Sequence, residues 1–372
     1  MSVIRPQAAP AAAAQRKPSG WLEVIRGELG FALVLGAAFL VAALGYGTPT
    51  IAAWLGFAFA GYSVVANDSI QTIGTFLSAN MRMPWWALWL FVAGIFLVTT
   101  LYGWLTYGGD VSYGRLMAKG FATAPTSFSY LQITAPLFLL VLTRLRMPVS
   151  TTFLILSCFA STSGSVWGVL IKSVSGYGVA FAVAIVMWLA LAPLTRRLMA
   201  RGEAHPAWRV GQWATSGILW AVWLMQDAAN VAVFLPRSLS IWELVLYGSL
   251  LSAGLVLLIK RRGGRIQGVI TEKSDVLDTR PATFVNLVYA AILYVFKVVS
   301  RMPMSTTWVF IGLLGGREIV INAALPAHQR RSRGELLWII TKDVILAGIG
   351  LLVSLALAVV INPVVRTALF GS

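Results

Sequence analysis

Long apolar runs, separated by short polar or basic segments, make up almost the whole chain from Phe31 to Ile361. Each run is roughly 18 residues or longer, which is about the length that an α-helix needs to cross a bilayer. The pattern therefore predicts an all-α polytopic membrane protein with about 11 transmembrane spans. Several runs contain Gly, Pro or polar clusters, which favours broken or re-entrant segments among them. The predicted spans are residues 28–47, 51–79, 85–107, 127–145, 148–171, 178–199, 208–235, 241–260, 282–300, 303–325 and 336–361.

Composition and charge agree with a lipid environment. Hydrophobic residues make up 58% of the chain and charged residues only 11%, too few to cover a soluble protein of this size. The net charge of +16 does not indicate nucleic-acid binding, because the cations cluster in short segments between apolar runs. With the N-terminus placed in the cytoplasm, 20 Lys and Arg side chains fall inside and seven outside. The sequence therefore predicts a disordered cytoplasmic tail at 1–27 and a short basic cytoplasmic loop at 260–280 that lies near the lipid headgroups.

Two motifs occur twice, in the same order. RMPVSTTF at 146–153 returns as RMPMSTTW at 301–308, and VVANDSIQTIG at 64–74 is matched by WLMQDAANVAV at 223–233. The repeats predict two related halves of five spans each, 51–199 and 208–361, with 28–47 as an extra N-terminal span. Because five is odd, the second half is inverted in the membrane. Inverted halves are typical of secondary transporters, whose site lies near the midplane where the halves meet.

The acidic motif of each half predicts a cation site. Asp68 and Asp227 lie inside apolar runs, where a carboxylate is expensive unless it is paired or functional. No Lys or Arg lies within a helical turn or two of either residue, so a bound cation or a proton is a natural partner. Carboxylate and amide oxygens suit a hard cation such as Na⁺. The competing interpretation is a structural carboxylate capped by hydroxyls and backbone amides. The predicted cation-binding residues are Asn67, Asp68, Gln71, Gln226, Asp227 and Asn230, with Asp68 and Asp227 as the metal ligands if the ion is Na⁺.

The STT motif of each half predicts an anion site. Pro148 and Pro303 suit the first turn of a helix, and the following Ser and Thr residues suit its cap. Free backbone N–H groups and the positive end of the helix dipole favour an anion at such a point. The competing interpretation is ordinary N-capping with helix–helix hydrogen bonds. The predicted substrate-binding residues are Ser150, Thr151, Thr152, Ser305, Thr306 and Thr307.

These motifs resemble those of the inorganic phosphate transporter family, which carries an inverted repeat with a G-x-N-D-x-x-N and a P-V-S-T-T-H motif in each half. The corresponding segments here are residues 61–71, 148–153, 226–230 and 303–308. The resemblance implies a symporter that moves inorganic phosphate with Na⁺ or H⁺ by alternating access. It places the cation at the acidic motifs and the anion at the STT helix starts, and it implies no cofactor.

This chain departs from the family pattern at several positions. Phe153 and Trp308 replace the family histidine, Gln71 and Gln226 replace asparagines, and only the loop 260–280 stands where animal members have a large insertion. The chain is therefore similar to a divergent bacterial branch, which implies a multi-pass protein of the bacterial inner (cell) membrane. Sulfate or another tetrahedral oxyanion is the alternative substrate, because hydroxyl donors discriminate poorly between such anions.

Other function classes fit the sequence less well. A passive anion channel conflicts with two midplane acids, and no HExxH, GxSxG or Cys/His cluster indicates an enzyme. A sensor or scaffold that no longer transports remains an alternative, and a homodimer is compatible with the architecture. Arg317 and Glu318 are neighbours inside a span, so we expect them to point to different faces and to pair elsewhere in a structural network.

Overall fold

The computed structural model describes the chain from Trp21 to Phe370 with several gaps. The described residues are 21–118, 120–145, 147, 149–160, 163–199, 204–261, 279–295, 305–324 and 330–370. This part of the chain is helical and contains no β-strand, so the predicted all-α class is confirmed. The predicted tail up to residue 20, most of the loop 260–280, Pro148 and Pro303 lie outside the described residues.

The helices follow the apolar runs closely. In chain order they are α1 (Trp21–Gly45), α2 (Pro49–Ala79), α3 (Trp85–Thr106), α4 (Arg115–Ala118), α5 (Tyr130–Arg144), α6 (Thr151–Leu156), α7 (Ser163–Met199), α8 (Ala207–Ala232), α9 (Ile241–Lys260), α10 (Thr279–Leu293), α11 (Thr306–Ala324), α12 (Arg333–Ile361) and α13 (Pro363–Phe370). Capping boxes start α5, α9 and α12, where Ser129, Ser240 and Ser332 each bond reciprocally with the residue three positions on. The first helix begins at Trp21, seven residues before the predicted start of the first span.

The described helices include enough long apolar segments for a membrane-embedded protein. Six of them, α1, α2, α3, α7, α9 and α12, are long and apolar enough to cross a bilayer. The predicted polytopic membrane class is confirmed at this level. The helices α8 and α11, which carry the motifs of the second half, are not among the six, and the count of 11 spans stays a prediction.

The largest departure from the predicted spans lies after the first STT motif. The sequence predicted one span at 148–171 and another at 178–199, but α6 ends at Leu156 and α7 is a single helix of 37 residues. The predicted break near residues 172–177 is therefore wrong, since helical hydrogen bonding continues through that polar segment. The real break follows α6, where the side chain of Asn362 donates to the carbonyls of Ser157 (2.9 Å) and Ala160 (2.8 Å). Those bonds satisfy backbone groups that would otherwise be stranded in an apolar interior.

Helix packing follows the same scheme in both halves of the chain. The helices that carry the acidic motifs, α2 and α8, pack against each other. Each also packs against the third helix of its own half (α5 and α10) and against the second helix of the other half (α9 and α3). The last long helix of each half packs against the STT helix of the other half, so that α7 contacts α11 and α12 contacts α6. The two halves therefore share their packing partners and do not form separate bundles.

A glycine seam on α11 allows its close approach to α7. A Cβ added at Gly312 would lie 2.7 Å from the carbonyl oxygen of Tyr177, and one at Gly316 would lie 2.7 Å from that of Phe181. This spacing of four residues is the small-xxx-small pattern by which membrane helices bring their backbones together. The seam fixes α11, and with it the second STT motif, against the longest helix of the first half.

The side chain of Arg237 lies over the C-terminal end of α8 and binds several backbone carbonyls there, and we call this group of contacts the Arg237 cage. The guanidinium of Arg237 donates to the carbonyls of Phe121 (2.8 Å), Leu235 (2.8 Å) and Thr123 (2.9 Å). Burial lowers the pKa of Arg237 from its ordinary value, and the nearby carboxylate of Asp110 opposes that shift. The cage holds the segment that precedes α5 over the end of α8.

We predict that Gly316→Ala destabilises the protein by about 1–3 kcal/mol, because the new methyl group would collide with backbone that cannot move aside. Gly348→Ala in α12 is the matched control, because no described atom lies within 4 Å of a Cβ added there. Helix propensity alone favours alanine over glycine by about 1 kcal/mol, so the control is expected to be neutral or stabilising. Thermal unfolding in detergent measures both variants. Equal melting temperatures for the two variants would contradict the close backbone contact between α11 and α7 at Gly316.

Candidate functional site

The predicted site residues converge on one buried region. The middle of α2, the C-terminal half of α8 and the starts of α6 and α11 meet there. All twelve predicted residues lie within it and none is more than 7% exposed: Asn67, Asp68, Gln71, Ser150, Thr151, Thr152, Gln226, Asp227, Asn230, Ser305, Thr306 and Thr307. Below, these residues are called the central cluster.

The corner around Asp68 joins the two motifs of the first half. The hydroxyl of Thr151 donates to the Asp68 carboxylate at 2.8 Å, and the amide of Asn67 donates to the same carboxylate oxygen. Asn67 Nδ2 also lies 3.2 Å from the carbonyl oxygen of Val149, and Asn67 Oδ1 accepts from Thr143 Oγ1 at 3.3 Å. A carboxylate held by a hydroxyl and an amide is stabilised in its charged form.

Two further hydrogen bonds connect the acidic motif of one half to the STT motif of the other. Gln71 Nε2 donates to Thr307 Oγ1 at 3.3 Å, and Asn230 Nδ2 donates to Thr152 Oγ1 at 3.1 Å. Each amide lies three residues after the aspartate of its motif, and each threonine is the second threonine of its motif. The two bonds therefore join matching positions of the repeated motifs crosswise, each running from the acidic motif of one pair to the STT motif of the other.

The two STT serines cap the helices that they precede. Ser150 Oγ accepts from the backbone N–H of Phe153 at 3.3 Å, and Ser305 Oγ accepts from that of Trp308 at 3.5 Å. For these two residues the N-capping interpretation describes the present contacts. The threonine hydroxyls are also engaged, because Thr151 donates to Asp68 and Thr307 donates to the carbonyl of Val149 at 2.9 Å. An anion at these helix starts would have to take over those hydroxyl protons.

Several amide atoms of the cluster lack a hydrogen-bond partner among the described residues. They are Gln71 Oε1, Asn230 Oδ1 and both polar side-chain atoms of Gln226, all of them buried. Leaving such a group unsatisfied costs about 1–3 kcal/mol, which a ligand can return. Neutral oxygens beside two carboxylates are the donor set that a hard cation prefers. A group of three His, Cys, Asp or Glu side chains, as zinc requires, does not occur within the described ranges.

Three contributors to the cluster were not predicted from the sequence. The hydroxyl of Tyr289, on α10, donates to the carbonyl of Thr306 at 3.2 Å. Thr143 and the carbonyl of Val149 complete the set. No repeated motif indicates Tyr289 or Thr143, because neither lies in the acidic motif or the STT motif of its half. Val149 could have been found, since it directly precedes the STT motif.

An apolar cavity borders the cluster on one side. It lies between α2, α3, α8 and α9 and reaches Asp227. Its walls include Val65, Phe96 and Trp223, so the surroundings of Asp227 on this side are aromatic and aliphatic.

The side chains of the adjacent residues Arg317 and Glu318 form an ion pair with each other, which differs from the prediction. Arg317 Nη1 lies 3.0 Å from Glu318 Oε1, so the expectation that the two point apart and pair elsewhere is wrong for this contact. The flexible side chains turn toward each other, and Arg331 joins them at 3.2 Å from Glu318 Oε2. The expected structural network is present, and it ties the end of α11 to the start of α12.

Comparison with protein-family models, with curated proteins and with solved structures found no match. The resemblance to the phosphate transporters therefore rests on the four motifs, and the arguments below rest on the contacts of the central cluster.

We predict that Thr307→Val destabilises the protein by about 1–3 kcal/mol, because Gln71 and the Val149 carbonyl both lose a partner in a buried setting. Thr134→Val on α5 is the matched control: Thr134 is equally buried, but its hydroxyl donates to the carbonyl of Tyr130 in its own helix. The control is expected to change stability by less. Melting temperatures of the purified variants compare them, and an equal loss in both would show that the crosswise bond adds nothing.

Proposed function

We propose that this protein is a secondary active transporter that carries inorganic phosphate together with Na⁺ or H⁺ by alternating access. The observation that carries the proposal is the pair of crosswise hydrogen bonds, Gln71 to Thr307 and Asn230 to Thr152. They bring predicted cation-binding residues of each half into direct contact with predicted anion-binding residues of the other. A change at one ion site is therefore transmitted to the other within one hydrogen bond.

Alternating access in this proposal follows from two inverted repeats, α2–α7 and α8–α12. The packing scheme supports the repeats, because exchanging α2 with α8, α3 with α9, α5 with α10, α6 with α11 and α7 with α12 reproduces most of the same neighbours. Inverted halves of equal fold can exchange conformations, which opens the site to one side and then to the other. The proposed orientation has the N-terminus in the cytoplasm of a bacterium and the protein in its inner membrane.

Coupling between cation and anion has a simple physical basis in the Asp68 corner. The Thr151 hydroxyl donates its proton to the Asp68 carboxylate at 2.8 Å. A cation on the carboxylate repels that proton and binds the hydroxyl oxygen instead, so the O–H turns away and becomes available to an anion. Each ion then raises the affinity for the other, as thermodynamic linkage requires of a symporter.

The central test is uptake of labelled phosphate into proteoliposomes under an imposed Na⁺ or pH gradient. We expect Asp68→Asn and Asp227→Asn each to lower cation-driven uptake about 10- to 100-fold, since losing a charged partner costs about 1.5–3 kcal/mol. Asp343→Asn on α12 is the control acid, because Asp343 lies outside the cluster. Normal uptake by both cluster variants would refute the assignment of Asp68 and Asp227 to cation binding. Accumulation of sulfate in place of phosphate would identify sulfate as the transported anion.

Thr151→Val is expected to raise the KM for phosphate about tenfold or more while leaving folded protein, because one hydrogen bond to a charged ligand is lost. Initial rates at varied phosphate concentration give the KM, and Thr134→Val serves as the control. An unchanged KM together with a lowered melting temperature would make Thr151 a structural residue only.

A further inference from the structure

A continuous line of neutral polar side chains runs from the central cluster to one end of the helix bundle. Its members come from α2, α8 and α10. We name this line the polar file, and it consists of Thr75, Asn286, Ser216, Gln212, Asn80 and Trp213.

Direct hydrogen bonds join each member of the polar file to the next. Thr75 Oγ1 donates to Asn286 Oδ1 at 2.6 Å, and Asn286 Nδ2 donates to Ser216 Oγ at 2.7 Å. Gln212 Nε2 lies 3.2 Å from Ser216 Oγ and accepts at Oε1 from Asn80 Nδ2 at 2.9 Å. The indole of Trp213 then donates to Asn80 Oδ1 at 3.0 Å.

The polar file starts beside the cluster and ends near the surface. Thr75 follows Gln71 by four residues on α2, so the two share one helix face. Asn80 caps the C-terminal end of α2, and Trp213 lies near the start of α8 and is partly exposed. Between these ends Thr75, Asn286, Ser216 and Gln212 are each at most 3% exposed.

The other end of the bundle provides an internal comparison. Asp68 and Asp227 are 159 residues apart, and this offset relates each α2 position to one in α8 or in the segment that follows α8. The equivalents of four file positions are apolar and partly or fully buried: Phe234 for Thr75, Phe57 for Ser216, Leu239 for Asn80 and Ala53 for Gln212. The fold therefore does not require polar side chains at these positions.

Aromatic rings pack against one another at that opposite end of the bundle. The ring of Phe234 lies 4.9 Å from that of Phe159 and 6.2 Å from that of Phe128, measured between centroids. Phe57 stacks on Tyr247 at 5.0 Å. We name this group, Phe57, Phe128, Phe159, Phe234 and Tyr247, the aromatic plug.

We propose that the polar file is the path by which water and the transported ions reach the central cluster from the end where α2 finishes and α8 begins. The aromatic plug seals the opposite end in this conformation. This inference rests on the proposed transport function, because it takes the central cluster as the ion site. It assigns Thr75, Asn80, Gln212, Ser216 and Asn286 to ion access, beyond the binding residues themselves.

The physical reason is the difference in the cost of opening the two ends. A hydrogen bond between neutral side chains exchanges for hydrogen bonds to water at little net cost in free energy. Separating packed aromatic rings exposes apolar surface to water and forms no new hydrogen bond in return. Amides and hydroxyls can also replace part of an ion's hydration shell without holding it as a charged group would.

Cysteine accessibility tests the proposal without any transported substrate. In a Cys158→Ser background, which removes the single native cysteine, Ser216→Cys and Thr75→Cys are reacted with a charged, membrane-impermeant methanethiosulfonate reagent. Ser63→Cys is the matched control, because Ser63 is fully buried on α2 and donates to the carbonyl of Pro136 at 2.7 Å outside the file. Arg82→Cys, exposed in the turn between α2 and α3, reports the side of the membrane.

We expect Ser216→Cys and Thr75→Cys to react from the same side as Arg82→Cys and at least about tenfold faster than Ser63→Cys, which must wait for local unfolding. Two positions of the polar file are tested, so that if one cysteine variant fails to fold, the other still tests the proposal. Reaction no faster than that of Ser63→Cys, or reaction only from the opposite side, would overturn the polar file as an access path and leave it as helix–helix adhesion.

The accessibility experiment and the uptake experiment can reject their proposals independently of each other. Labelling of the file in a protein that accumulates no anion would support the path and reject phosphate symport. Anion uptake by a protein whose file stays unlabelled would support transport and reject this path.

Discussion

A polar group inside an apolar bundle must find its partner within the protein, and this constraint organises the whole structure. The described interior of this chain holds two buried carboxylates, several amides and the starts of two helices, linked by hydrogen bonds such as Thr151 to Asp68 and Asn230 to Thr152. Water is excluded from such a region, so an unmatched group would cost several kcal/mol. In the central cluster many of these groups satisfy one another, while Gln71 Oε1, Asn230 Oδ1 and the Gln226 amide lack a partner among the described residues. The cluster joins both halves of the chain.

The crosswise arrangement makes the halves mutually dependent. The last long helix of each half packs on the STT helix of the other half. The amides of Gln71 and Asn230, each three residues after the aspartate of its motif, bond to a threonine of the other half. The glycine seam at Gly312 and Gly316 makes one of these contacts especially tight. A movement of α11 would therefore change both its packing on α7 and the hydrogen bond from Gln71 on α2.

The two ends of the bundle differ in character although the scheme of helix packing is the same. One end carries the hydrogen-bonded polar file, whose Trp213 also packs on Phe76 and Phe91, and the other carries the aromatic plug and the Arg237 cage.

The sequence by itself determined the all-α membrane class, most helix positions and the twelve residues of the cluster, because apolar periodicity and repeated motifs are local signals. Asp68, Asp227 and the two STT motifs stand out as polar groups in apolar runs. The tertiary structure alone decided which motif touches which: nothing in the spacing of residues says that Gln71 meets Thr307 or that Tyr289 reaches Thr306. It also decided the break after Leu156 and the continuity of α7, since the carbonyls freed at the break are satisfied by Asn362, about 200 residues away. Hydrogen bonding over such distances depends on packing, and packing is not encoded in any single stretch of the chain.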